Sequence, residues 1–172
     1  MIACGNLRFV NEIVAPPFSP VEVQVLDICV RIAQFIGLPK SIGEIYGLLF
    51  LSPVPLPMDI LAERLHLSKG SASQGLKYLR SYEAIIISYV AGDRRDHYVA
   101  QTDLMKLVGG FLRARIEPGI ADLGERLQQI EEQAAHLSPS EKKLLQERLT
   151  KLRQWQRQAQ KTFPLIATLL GK

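Results

Sequence analysis

The sequence has few of the residues that build covalent cross-links and metal sites. Its 172 residues include two cysteines, Cys4 and Cys29, which lack a CxxC spacing, and only three histidines. Two cysteines with no CxxC spacing and no nearby histidine partner argue against a structural disulfide or a zinc site, and a reducing compartment is the simplest expectation. We therefore expect a cytoplasmic protein with no metal and no other cofactor.

Long hydrophobic runs are also missing. The richest apolar stretch, residues 42–56, is interrupted by glycines, a glutamate and prolines, so no segment suits a bilayer crossing. The N-terminus lacks the basic and then apolar pattern of a secretory signal. Hydrophobic residues still make up 47% of the chain, and the net charge is +4. This composition predicts a protein with a substantial core and no membrane partner, and it permits an anionic partner.

Catalytic patterns are absent as well. His66, His97 and His136 fall in a predicted turn, strand and helix end, without a metal-ligand spacing. No glycine-rich phosphate loop follows a strand, and no G-x-S-x-G motif occurs. We expect that the protein is not an enzyme.

The most informative stretch, residues 57–102, has the order of a helix-turn-helix followed by a β-hairpin wing. A short helix is predicted over Met58–Leu65, and Ser68 is a good N-cap for a second helix that runs to about Tyr82. β-Branched residues then predict a strand over Ile85–Val90, and a polar turn leads to a returning strand over His97–Gln101.

The second helix has one apolar stripe and one polar face. Ala72, Leu76 and Leu79 follow helical spacing and are predicted to face the core. No acidic residue lies between Ser68 and Ser81, so basic side chains could meet phosphates while short polar ones reach base edges. The alternative is an ordinary solvated helix face. The candidate DNA-binding residues are Ser68, Lys69, Ser71, Ser73, Gln74, Lys77 and Arg80.

The tip of the predicted wing is also a candidate DNA contact. Arg94 and Arg95 are flanked by Asp93 and Asp96. We expect one arginine to enter a minor groove, drawn by its negative potential, while Asp93 orients the other. The alternative is a solvated turn held by Asp93.

Residues 1–20 are interpreted as an N-terminal arm, with a poorly ordered terminus as the alternative. Apolar residues then recur on one broad face and predict a well-buried helix over Pro20–Ile36, which ends at Gly37. Ser41 is the expected cap of the next helix, Ile42–Leu51, which is apolar on nearly every side.

The remaining chain, residues 104–172, is predicted to be a helical dimerisation region. Pro118 and Gly119 are expected to interrupt it, and Ser138 with Pro139 predicts the start of a last helix. A short connection between two amphipathic helices implies an antiparallel hairpin. The basic face of the last helix is most simply solvated, with a second DNA-facing surface as the alternative. The candidate dimerisation residues are Leu123, Leu127, Ile130, Leu137, Leu149, Leu152, Trp155, Phe163 and Ile166.

The predicted fold is mainly α: an α+β winged helix-turn-helix domain over residues 21–103, with a C-terminal helical hairpin as a dimerisation arm. Three prolines force an extended segment over Val54–Leu56, which could add a third strand to the wing sheet.

Residues 37–103 resemble the GbsR-type branch of the MarR superfamily of bacterial and archaeal transcriptional regulators. The resemblance rests on GLPKSIG, on LSKGSAS at the start of the second helix, and on GDRRDHY in the wing. It implies a two-fold dimer that binds a pseudo-palindromic operator and usually represses. Named members respond to choline or related compounds of osmolyte pathways. The resemblance places DNA contacts at Lys69, Ser71, Ser73, Gln74, Lys77, Arg94 and Arg95.

Together these features predict a sequence-specific transcriptional regulator that binds a double-stranded DNA operator. We expect a homodimeric repressor that responds to a small-molecule effector of unknown identity. The alternative is a winged helix that serves as a protein–protein interaction module within a larger complex.

Overall fold

The computed structural model describes residues 17–134 and 138–171, so most of the predicted N-terminal arm and the candidate Leu137 lie outside the described residues. A π-helical turn, Leu112–Ile116, lies between the helices Leu104–Phe111 and Glu117–Gln133. The elements are α1 Pro20–Phe35, α2 Lys40–Leu51, β1 Leu56–Pro57, α3 Met58–Arg64, α4 Lys69–Ser81, β2 Ile85–Ser88, β3 His97–Ala100, α5 Leu104–Phe111, α6 Glu117–Gln133 and α7 Pro139–Leu170.

The described residues form the predicted winged helix. The helices α3 and α4 lie between β1 and β2 in the chain, and the three strands form an antiparallel sheet in the order β1-β3-β2. Leu56 of β1 pairs with Tyr98, and Ile85 of β2 pairs with Ala100. The proline-rich segment therefore supplies the third strand, and it lies at the sheet edge, where a proline removes no ladder hydrogen bond that the sheet needs.

The core is centred on α2. Ile45 is fully buried, as is Leu61 of α3. The predicted inward residues of α4 are buried too, with Ala72 at 0% exposure. Gly75 of α4 packs against α2, since a Cβ there would lie 2.5 Å from Ile45 Cδ1. Close packing therefore accounts for a glycine in the middle of this helix.

The prediction of a well-buried α1 is wrong for this chain taken alone. Val30 and Ala33 are buried, but Ile28 and Ile32 are more than half exposed and Phe35 is 90% exposed. Helix α1 packs on α2 along one side, where a Cβ at Gly43 would come within 2.6 Å of Val30 Cα. The rest of its broad apolar face is uncovered.

The caps of two helices differ from expectation. Ser41 is not the cap of α2, which begins at Lys40, two residues before the predicted Ile42, with Pro39 at the N-cap. An unpredicted capping box starts α1, where Ser19 and Glu22 exchange side-chain to backbone hydrogen bonds. Pro20 is the first residue of α1, where its fixed φ suits a helix start. Pro39 is the residue before α2, and its ψ of 147° lies outside the helical range.

The expected interruption at Pro118 and Gly119 is instead a π-turn just before them. The Glu117 amide donates to the Leu112 carbonyl, five residues back. Because Pro118 has no N–H, it cannot continue the normal ladder, and the wider turn absorbs one extra residue. The backbone stays helical from Leu104 to Gln133.

Helices α6 and α7 form the predicted hairpin. Arg153 pairs with Glu131 at 2.8 Å, and the buried Gln156 amide donates to the Ile120 carbonyl at 3.2 Å. Helix α7 begins at Pro139, as predicted. Within the described residues, no helix has the length and apolar character needed to cross a membrane.

Candidate nucleic-acid interface

The helix α4 presents a polar face that its own cap holds in place. The Ser68 hydroxyl accepts a hydrogen bond from the Ser71 amide at 3.1 Å and lies 2.9 Å from the Ser71 hydroxyl. The hydrogen bond from the Ser71 amide confirms that Ser68 is the N-cap of α4. Both serine hydroxyls also take part in a hydrogen bond with each other. The other predicted residues of the helix are all exposed, and they are Lys69, Ser73, Gln74, Lys77 and Arg80.

These side chains point toward two sides of α4. Ser73, Lys77 and Arg80 border an open cleft against the wing, together with Tyr98 of β3. Ser71 and Gln74 border a second cleft of about 350 Å³ on the opposite side. An exposed helix face with side chains along both edges can contact base edges and both flanking phosphate strands of a major groove.

The second cleft has walls from three parts of the chain. One wall is the turn between α1 and α2, residues 37–42, and another is α4 with Tyr78 and Tyr82. The π-turn contributes Arg115, a residue that the sequence analysis did not single out. Nothing local in the sequence signals it, because the π-turn changes which residues of this segment face α4.

At the wing, the two candidate arginines have different environments. Arg95 pairs with Asp93 at 2.5 Å and also with Asp59 of α3. Its carbonyl contacts the ring of the buried His97 at 2.9 Å. Hydrogen bonds from the Arg95 side chain hold the pKa of the Asp93 carboxyl well below its usual range, while Asp93 raises the pKa of Arg95. Arg95 thus fastens the wing to α3.

Arg94 is exposed at the wing tip and has no ion-pair partner among the described residues. The hairpin reverses at Gly92, whose φ of +85° suits glycine. Of the two candidates, Arg94 is therefore the one whose guanidinium is free to meet DNA. Asp59 is a supporting residue that the sequence analysis missed, since it lies 36 positions from Arg95.

The candidate dimerisation residues fall into two groups. Leu127 and Leu149 are buried inside the hairpin of this chain, and Leu123 and Phe163 are half-buried. The exposed members have between 38% and 53% of their surface accessible, and they are Ile130, Leu152, Trp155 and Ile166.

Within residues 17–134 and 138–171, no group of histidine, cysteine, aspartate and glutamate side chains could hold a metal ion.

Comparisons with known proteins agree with this architecture. No protein-family model matches the chain. It is 27% identical over 105 residues to the HTH-type transcriptional repressor GbsR of Bacillus subtilis strain 168. The matched region covers 59% of this chain and 58% of GbsR. The chain therefore spans less than two thirds of the length of that relative.

Among solved structures, one described as a transcriptional regulator superposes with a TM-score of 0.63 at 19% identity, over 88% of this chain and 97% of its own. A mutant of S. aureus MepR bound to an oligodeoxyribonucleotide gives a TM-score of 0.40 at 22% identity, over 77% and 89% of the two chains. That second likeness is too remote to support an inference. The chain is therefore similar in sequence to the repressor GbsR over 105 residues, and it shares its fold with a solved transcriptional regulator.

Proposed function

We propose that this protein is a sequence-specific, double-stranded-DNA-binding transcriptional regulator that represses as a homodimer in the cytoplasm. The observation that carries the proposal is the exposed, acid-free face of α4, held between a structured wing and the α1–α2 turn. An α-helix with its side chains is about 10–12 Å across, which matches a major groove about 12 Å wide. Its relative GbsR is named a repressor.

The roles of the side chains follow from their positions. Ser73 and Gln74 lie in the first half of α4, where a glutamine can pair with adenine through two hydrogen bonds. Lys77 and Arg80, on the wing side, are placed for phosphates, and Arg94 at the wing tip for the minor groove or its backbone.

Uncovered apolar surface supports a second copy of the chain as partner. Ile32 and Phe35 of α1 and Leu152 and Trp155 of α7 are 47–90% exposed. Contiguous apolar patches on a folded protein mark interaction surfaces. A two-fold dimer that reads a pseudo-palindrome must place its two α4 helices about 34–36 Å apart.

An effector would act where α1, α2 and α5 meet. They line an open apolar pocket of about 130 Å³, to which Cys29, Ile32, Tyr46, Leu107 and Phe111 contribute. A small apolar ligand there would alter the packing of α1 on α2, and with it the spacing of the two recognition helices.

The test is selection of binding fragments from a random double-stranded library by the purified protein. The proposal requires enrichment of a pseudo-palindromic sequence, bound with an affinity that falls steeply with salt. Lys77→Ala should reduce the slope of log affinity against log salt by about one unit per subunit. Lys143→Ala, on the exposed start of α7, should leave that slope unchanged. A protein-interaction module would enrich no duplex.

A further inference from the structure

The arginines of residues 17–134 fall into two groups, those that form an ion pair or a cation–π contact with another side chain and those that do not. Most have an acidic or aromatic partner: Arg31, Arg95, Arg113 and Arg126 form ion pairs, and Arg64 lies over the Phe18 ring. The three that form no ion pair and no cation–π contact in this described segment are Arg80, Arg94 and Arg115. Two of these belong to the proposed DNA surface, so the position of the third is informative.

Arg115 lines the cleft on the side of α4 that faces away from the wing. The polar side chains around it can all donate hydrogen bonds, and they are the Ser41, Ser71 and Tyr78 hydroxyls and the Gln74 amide. No acidic side chain lines this cleft. The nearby Lys40 is already paired with Glu44 at 2.9 Å. Arg115 therefore places an unpaired positive charge among hydrogen-bond donors in this cleft. A cationic guanidinium surrounded by hydrogen-bond donors is an arrangement that binds phosphate.

The position of the cleft matches the second strand of a duplex. A recognition helix that fills a major groove has a phosphate backbone on each side. On the wing side of α4 these phosphates would meet Lys77 and Arg80. On the other side, the residues that border the helix are those of the Arg115 cleft.

We propose that Arg115, together with Ser41 and Tyr78, binds a backbone phosphate of the operator strand opposite the wing. The inference rests on the proposed DNA-binding function and adds to it a contact from outside the helix-turn-helix and the wing. Arg115 belongs to the π-turn that leads into α6. This contact therefore also places the start of the C-terminal helical hairpin, α6 and α7, next to the DNA.

The experiment compares three variants on the duplex selected from the random library. Arg115→Ala should weaken binding about threefold to tenfold and lower the log–log salt slope by about one unit per subunit. Arg115→Lys, which keeps the charge, should retain most of the slope. Arg157→Ala removes an exposed arginine from α7 as the matched control and should change neither quantity.

Ethylation interference supplies a readout that a change in folding would not produce. Ethylation of one phosphate per half-site, on the strand away from the wing, should weaken binding of the wild type. Ethylation of the same phosphate should not weaken binding of Arg115→Ala further. An unchanged salt slope and an unchanged ethylation pattern would overturn the proposal.

A free small anion is the competing occupant, and titration of the wild type with inorganic phosphate in the absence of DNA tests it. Phosphate binding that depends on Arg115, combined with an unchanged salt slope in Arg115→Ala, would assign the cleft to a free anion and overturn the operator contact. Absence of any salt-dependent duplex binding by the wild type would instead remove the proposed function itself.

Discussion

The packing of α5 against the end of α4 gives a prediction with opposite signs at two glycines. A Cβ at Gly110 would lie 2.0 Å from the Tyr82 carbonyl oxygen and 2.8 Å from its carbon. A Cβ at Gly119 in α6 would meet nothing within 4 Å. Both residues are helical, so Gly110→Ala and Gly119→Ala differ in their surroundings rather than in the substitution.

The magnitudes follow from two competing effects. Alanine is favoured over glycine inside a helix by about 0.5–1 kcal/mol. At Gly119 this is the whole effect, so Gly119→Ala should raise the free energy of unfolding by that amount. At Gly110 the clash is with backbone, which cannot rotate away, and overpacking of this kind costs about 1–3 kcal/mol. An approach of 2.0 Å places the cost of this clash at the upper end of that range. After the favourable helix effect is subtracted, Gly110→Ala should lower the free energy of unfolding by about 2 kcal/mol.

Urea unfolding of the two variants and the wild type measures both free energies, and thermal unfolding measures the corresponding Tm values. A change of 1 kcal/mol shifts Tm by about 2–4 °C in a protein of this size, so the two variants should be separated by several degrees. Gly110→Ala should also weaken DNA binding, because Tyr82 ends the recognition helix. If Gly110→Ala proves as stable as Gly119→Ala, the close approach of α5 to Tyr82 does not exist in solution.

Three further outcomes are expected. Ser68→Ala removes the cap of α4 and should cost about 1 kcal/mol in chemical unfolding, since the Ser71 amide loses its acceptor; an unchanged midpoint would mean that water replaces the cap. The stabilising effect of Asp93 is fully present above the ordinary aspartate pKa and is lost only as the pH falls through its depressed value; an NMR titration that gives Asp93 an ordinary pKa would contradict the Arg95 pairing. Trp155→Ala should raise the dimer dissociation constant in sedimentation velocity, and a variant as dimeric as the wild type would exclude Trp155 from the interface.

Features with local signals could be predicted from the sequence. Ser68 begins α4 as expected, and Ala72, Leu76 and Leu79 face the core, because capping and helical periodicity act within a few residues. The β-branched residues after α4 likewise form the wing strand Ile85–Ser88.

Features that depend on distant partners could not be predicted. The apolar stripe of α1 shows which residues avoid water but not what covers them, and Phe35 is 90% exposed in this chain. The pairing of Arg95 with Asp59 depends on a contact across 36 positions. Arg115 faces α4 because of a π-turn, which has no reliable sequence signature.

The contacts at the end of α4 determine how the arm and the recognition helix can move. Arg113 of the π-turn pairs with Glu83, just after α4, at 2.5 Å, and it donates to the Ala167 carbonyl near the end of α7 at 3.0 Å. With Gly110 packed against Tyr82, the end of α4 is fixed to both the π-turn and α7. A rotation of the arm must therefore carry α4 with it. In the proposed homodimer, the distance between the two recognition helices would therefore depend on how residues 104–171 and α1 pack against the second copy, and not on a flexible connection.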